Sequence, residues 1–200
     1  MKHLKTPLIL LLLAAPFFAT AQFKFGAKGG LNIARFSRAI VTSVESTSSI
    51  ENVLGFNVGL MFEVKLPVKI GVELDVLYSS KGVSLTIDGN AGRYLHDYSL
   101  NYIDLPVVVK WYMFKVTNLQ AGLQYSHLLT ADYHVKGFDK EDVKAQFSTG
   151  DVIAVVGFGV DVSKIHFSAR YNLGLIDITN GTGNTKSNMF TFSLGFWLKN

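Results

Sequence analysis

The stretch LGFNVGLMFEV, residues 54–64, alternates along its whole length. Leu54, Phe56, Val58, Leu60, Phe62 and Val64 fall on one side, and Gly55, Asn57, Gly59, Met61 and Glu63 on the other. A period of two is the pattern of an extended strand, whose successive side chains point to opposite faces. The second side is small and glycine-rich and carries a carboxylate. It would make a poor surface against water, so the question becomes which side faces what.

Working outward, the same alternation recurs in KIGVELDVLY (69–78), IHFSARYNLGL (165–175) and MFTFSLGFWL (189–198). In all, eight strands are expected, at roughly 23–36, 53–64, 69–82, 97–112, 118–130, 150–161, 165–177 and 188–199. Helical periodicity is absent. The connections alternate in length. Long polar loops are expected at 37–52, 83–96, 131–149 and 178–187, and tight turns at KLPVK, FKVTN and VSK. Long and short connections in turn, with an even strand number, describe an antiparallel up-and-down transmembrane β-barrel. Such a barrel closes on itself and so satisfies its backbone groups inside hydrocarbon.

A soluble barrel also alternates, so composition has to decide which face points outward. The chain is 48% hydrophobic and only 17% charged, with 18 glycines, 15 Phe and 8 Tyr. Soluble domains carry about 25% charged residues. An apolar, aromatic face turned to lipid accounts for the shortage, and small residues suit a lumen that side chains fill. Tyr78, Tyr102, Trp111, Tyr112, Tyr125 and Tyr171 are expected on the apolar face, several of them in interfacial girdles. There is no cysteine, hence no disulfide or thiolate metal site.

The N-terminus supplies an address. Lys2 and Lys5 precede an apolar run from Leu8 to about Phe18, followed by Ala19-Thr20-Ala21, a small-residue cleavage pattern. Residues 1–21 are read as a signal peptide and 22–200 as the barrel domain. Removing the two lysines lowers the net charge from +4 to +2, which leaves no basic stripe for nucleic acid. The expected location is the bacterial outer membrane, with both termini in the periplasm.

Within YIDLPVVVKW (102–111), Ile103, Leu105, Val107, Val109 and Trp111 are expected toward lipid, and Asp104, Pro106, Val108 and Lys110 inward. Pro106 removes a ladder donor, which predicts a bulge or a local break. FGAKGGLNIARFS (25–37), YIDLPVVVKW and ARYNLGLIDI (169–178) together resemble the outer-membrane β-barrel domain common in Bacteroidota, the porin-family or PorT-like proteins. The resemblance spans Phe23 to the end. It implies an eight-stranded barrel, few assigned activities, a secretion role for some members, and no catalytic residues to carry over.

The inward phase collects Glu63, Glu73, Asp75, Asp104, Lys110, Asp161, His166 and Arg170. In a narrow lumen they are expected to form a paired polar network, with Arg170 and Lys110 neutralising part of the Glu73, Asp75 and Asp104 group. Unpaired buried charge costs several kcal/mol. Asp75 and Asp104 are expected at mid-height and the others nearer the short turns.

Enzymatic readings find little support. Ser126 and His127 are adjacent and point to opposite faces, while His134, Asp132, Asp139, Glu141 and Asp142 share one outer loop. No metal-ligand spacing occurs, and GAKGG and DGNAG do not open helices, so neither is a phosphate loop. No cofactor is expected. The expected role is structural or surface interaction, with outer-membrane lipid and, through the outer loops, other envelope proteins as partners. A monomer is the expected state. The alternatives are a narrow pore for small solutes or ions, a PorT-like accessory in protein secretion, and a lipid-modifying enzyme.

Overall fold

A computed structural model of the chain describes residues 22–36, 49–52, 54–89, 92–135, 141, 142, 144, 148–176 and 187–199. The expected signal peptide and most of the loops at 37–52 and 178–187 lie outside the described residues. The strands are β1 (Gln22–Phe36), β2 (Ser49–Asn52), β3 (Leu54–Lys65), β4 (Ile70–Gly89), β5 (Gly92–Tyr112), β6 (Thr117–Val135), β7 (Glu141–Asp142), β8 (Gly150–Val162), β9 (Ile165–Gly174) and β10 (Ser187–Lys199).

Pairing runs from neighbour to neighbour, antiparallel throughout, and β10 returns to pair with β1. Short β2 and β7 pair with the upper ends of β4 and β6, so they add height and no new staves. The result is a closed barrel of eight staves. Three connections at one end are short, spanning 66–69, 113–116 and 163–164, and the longer ones lie at the other.

The two faces are inverted relative to a soluble protein. Leu54 is 62% exposed and Phe56 49%, whereas Glu63, Glu73, Lys110 and His166 are 0% exposed. Water would penalise the outer wall, and hydrocarbon accepts it. Among the described residues no helix is long and apolar enough to cross a membrane, which says nothing of a β-barrel. Strand β9, with 10 residues, is about long enough for a tilted crossing.

Four expectations change. The loop placed at 131–149 begins later, because β6 runs on to Val135 and pairs there with β7. The loop placed at 83–96 is a hairpin: β4 and β5 stay paired from Val83 with Tyr98 out to Gly89 with Gly92. The alternation of Val83, Leu85 and Ile87 with Ser84, Thr86 and Asp88 carries the strand up to Gly89, inside DGNAG, well beyond the expected loop start at 83. β4 has 20 residues against the 10 of β9. At ~3.3 Å per residue the hairpin therefore runs roughly 30 Å further along the strand direction.

Tyr102 and Tyr112 do not join the outer girdle. They share parity with Asp104 and Lys110, and both are buried in the lumen, while Tyr78, Trp111 and Tyr125 stay exposed. Pro106 does interrupt the β4–β5 ladder: pairing lapses between Leu74–Val107 and Leu77–Asp104, and the register is unchanged across the gap. The bulge sits elsewhere, at Asn101/Tyr102 against β6, where Leu129 is the extra residue.

Candidate functional site

The lumen is filled from the short-turn end upward. Glu73 on β4 is the hub. Its carboxylate accepts from Lys28 Nζ on β1 at 2.5 Å and from Arg170 Nη2 on β9 at 2.5 Å, and it also meets Lys110 Nζ on β5. Asp75 stands two residues on and therefore on the same face. It accepts from Lys28 at 2.7 Å and from Arg170 Nη1 at 2.9 Å. The guanidinium fork thus gives each carboxylate its own N–H group, while Lys28 spans the same two carboxylates with a single ammonium. Gln120 Oε1 accepts the Arg170 Nε proton at 2.7 Å. Gly157 lies opposite Arg170, and a Cβ there would meet Arg170 Cγ at 2.9 Å, so its absence makes room for the arginine stem.

Glu63 and Glu73 face each other directly across β3 and β4. Two like charges in that position repel. Lys110 stands between them, 3.1 Å from Glu63 Oε2 and in contact with Glu73. Tyr112 donates to Glu63 Oε1 at 2.5 Å and lies 3.0 Å from Asp161 Oδ2. One hydroxyl has one proton, so Glu63 takes it. Asp161 is served by Asn118 Nδ2 at 3.0 Å and His166 Nδ1 at 2.6 Å, with the Trp197 indole N–H at 3.5 Å. Facing a carboxylate, Nδ1 is the protonated nitrogen of His166. Its Nε2 has no hydrogen-bond partner and lies 4.0 Å from Glu73. Gly71 leaves the space that Glu63 occupies, since a Cβ there would come within 2.7 Å of Oε1.

Above this layer the groups are mostly uncharged. Asn57 donates to Asn32 Oδ1 at 2.8 Å, Thr191 to the same oxygen at 3.2 Å, and Asn172 to Thr191 at 2.7 Å. One further pair, Lys81 with Asp104 at 3.2 Å, lies under Tyr102, whose ring centroid is 4.3 Å from Lys81 Nζ.

Seven of the residues singled out in the sequence, Glu63, Glu73, Asp75, Lys110, Asp161, His166 and Arg170, therefore meet in one continuous cluster. Asp104 does not join them. Its cation is Lys81, rather than Arg170 or Lys110. Sequence reading passed over Lys28 and Lys81. Each lies on a strand face shared with buried residues, Lys28 with Asn32 and Lys81 with Ser79, and that parity was the available signal.

The adjacent Ser126 and His127 do not assemble as a dyad. Ser126 is buried inside while His127 points outward. Among the described residues no three His, Asp or Glu side chains group as metal ligands. The side chains of 133–142, including His134, lie outside the described set.

A family model described as "Outer membrane protein beta-barrel domain" matches residues 17–180. The comparison with curated proteins returns no match. Among solved structures, the fold is similar to Ail, the attachment invasion locus protein of Yersinia pestis, in complex with the heparin analogue sucrose octasulfate. That likeness has a TM-score of 0.54 at 12% identity and covers 88% of this chain and 99% of that one. It is also similar to Neisserial surface protein A, with a TM-score of 0.51 at 13% identity, covering 88% and 97%. Both likenesses concern the fold. The chain belongs to the outer-membrane β-barrel domain family and is an integral protein of the bacterial outer membrane.

Proposed function

We propose that this protein is a non-conducting, non-enzymatic barrel that works by contact at the cell surface. The observation that carries the reading is Glu73, held by cations from β1, β5 and β9 in a layer buried from water. Such a layer closes the lumen with paired charge, and opening it would strand several ions in a poorly solvated interior.

In this reading the short turns and the barrel's two chain ends face the periplasm, and residues 1–21 are removed on export. The β4–β5 hairpin and the connections at its end then stand outside and present the contact surface. The Ail structure, in complex with the heparin analogue sucrose octasulfate, is a precedent for a barrel of this fold that takes a polyanion. The finer resemblance to Bacteroidota porin-family and PorT-like proteins is compatible with a partner in the envelope.

Planar-bilayer recording tests the reading. The full-length protein should insert and show no steady conductance. A sustained ohmic current from the folded barrel would replace this reading with the pore. A pull-down from outer membranes separates a self-sufficient surface protein from a secretion accessory, which would retain other envelope proteins.

A further inference from the structure

We propose that the short-turn end holds a binding pocket for the phosphate headgroup of an anionic glycerophospholipid, a site that rests on the outer-membrane reading. Two turns converge there. The β3–β4 turn is tied into the wall by Leu66 N–H donating to Ile70 O at 2.7 Å and by Tyr112 N–H donating to Lys69 O at 2.8 Å. The β5–β6 turn lies beside it. Between them is a cavity of about 590 Å³ lined by Lys65, Lys69 and Lys115, with Gln22, Met113 and Phe114 among its walls.

These lysines differ from those of the lumen. Lys28, Lys81 and Lys110 each have a carboxylate within 4.0 Å. Among the described residues, Lys24, Lys65, Lys69, Lys115 and Lys164 have none, and the turns at 66–69, 113–116 and 163–164 contain no Asp or Glu. Aromatic faces position two of them instead. Lys65 Nζ lies 3.7 Å from the Tyr112 ring centroid, and Lys24 Nζ 5.5 Å from that of Trp197. A ring face attracts a cation without supplying a counter-charge. Lys69 has φ 61°, a left-handed conformation that an L-residue rarely adopts. The turn fixes that backbone and so fixes where the side chain departs.

Charge complementarity names an anion, and the apolar rim names an amphiphile. Phe114 is 71% exposed, Trp111 56% and Val68 51%, next to the lysines at the edge of the lipid-facing wall. An acidic peptide would use the cations and leave these side chains wet. A zwitterionic lipid would bring its own cation against three lysines. An anionic phospholipid uses both features.

The test uses the full-length protein, folded in micelles and scored for folding by its heat-modifiable migration on a gel. It is titrated with short-chain phosphatidylglycerol, short-chain phosphatidylcholine, inorganic phosphate and polyglutamate. Binding is read by native mass spectrometry and by the rise in unfolding temperature that a native-state ligand produces. Phosphatidylglycerol alone should bind and stabilise. Lys65→Gln/Lys69→Gln/Lys115→Gln should weaken it on the order of a hundredfold, taking about 1 kcal/mol, or roughly fivefold, per lysine. Lys164→Gln, at the same end on the β8–β9 turn, should leave it unchanged. If the triple variant does not fold, Lys115→Gln, on an exposed turn, should still show the single-lysine loss.

Equal stabilisation by inorganic phosphate overturns the lipid assignment in favour of a simple phosphate site, and equal binding of polyglutamate overturns it in favour of an acidic protein partner. Phosphatidylglycerol binding that survives the triple change places any lipid elsewhere. Failure of the outer-membrane reading shows separately, as a protein that does not insert into vesicles at all.

Discussion

Arg170 on β9 reaches the full width of the lumen to Glu73 on β4, a residue 97 positions earlier in the chain. In an eight-stave ring those two strands stand directly opposite each other. The contact is therefore a cross-brace, and it is made where no water can substitute for either partner. From it follows the first prediction. Arg170→Leu removes the fork from Glu73 and Asp75 together and leaves Lys28 and Lys110 facing them. The expected loss is about 3–5 kcal/mol, the cost of breaking a buried pair. Urea unfolding from micelles measures it, and an unchanged midpoint would mean that the brace has no structural weight.

The pair Lys81–Asp104 is separate from the lower cluster, so it can be dissected without disturbing Glu73. Lys81→Met and Asp104→Asn should each destabilise. The double variant should cost less than the two single losses added, with a coupling of about 1–3 kcal/mol. Additive losses would show that the pair does not act as a unit.

Gly71 and Gly29 make opposite predictions for the same substitution. An added Cβ at Gly71 meets Glu63 Oε1 at 2.7 Å and the Tyr112 ring at 3.3 Å. Gly71→Ala should therefore cost about 1–3 kcal/mol, as overpacking does. At Gly29 the nearest atom is Asn57 O at 3.6 Å, an ordinary contact. Gly29→Ala should stay within about 0.5 kcal/mol of the parent. The comparison of the two unfolding midpoints is the measurement.

The β4–β5 extension predicts slow amide exchange well beyond the membrane. Backbone amides on both sides of the hairpin between Val83 and Tyr98 should be protected by the ladder that pairs them. Hydrogen exchange followed by mass spectrometry reads this directly. Exchange at open-loop rates over 83–96 would restore the loop expected from the glycines.

The period of two in residues 54–64 already carried the barrel, because lipid on one side and a packed lumen on the other demand opposite chemistry at alternate positions. It also placed Glu63, Glu73, Asp75, Lys110, Asp161, His166 and Arg170 on inward faces. Where alternation met glycine or an aromatic, reading by residue type went too far. The glycines of DGNAG widened the expected loop to 83–96, although β4 runs to Gly89 and β5 starts at Gly92, and Tyr112 looked like a girdle residue, although its parity with Lys110 pointed inward.

Alternation along the chain thus determined, from sequence alone, which side of each strand meets lipid, because that choice is local and repeats every two residues. Closure of the barrel decided which charges meet. Lys28, Lys110 and Arg170 reach Glu73 through the circular order and stagger of the strands, and both are set by pairings between residues far apart in the chain. The β4–β5 pairing also brought the lysines of two separate turns to one rim without a carboxylate among them. A strand's period specifies a face, and only the closed ring assigns that face a height and a partner across the lumen.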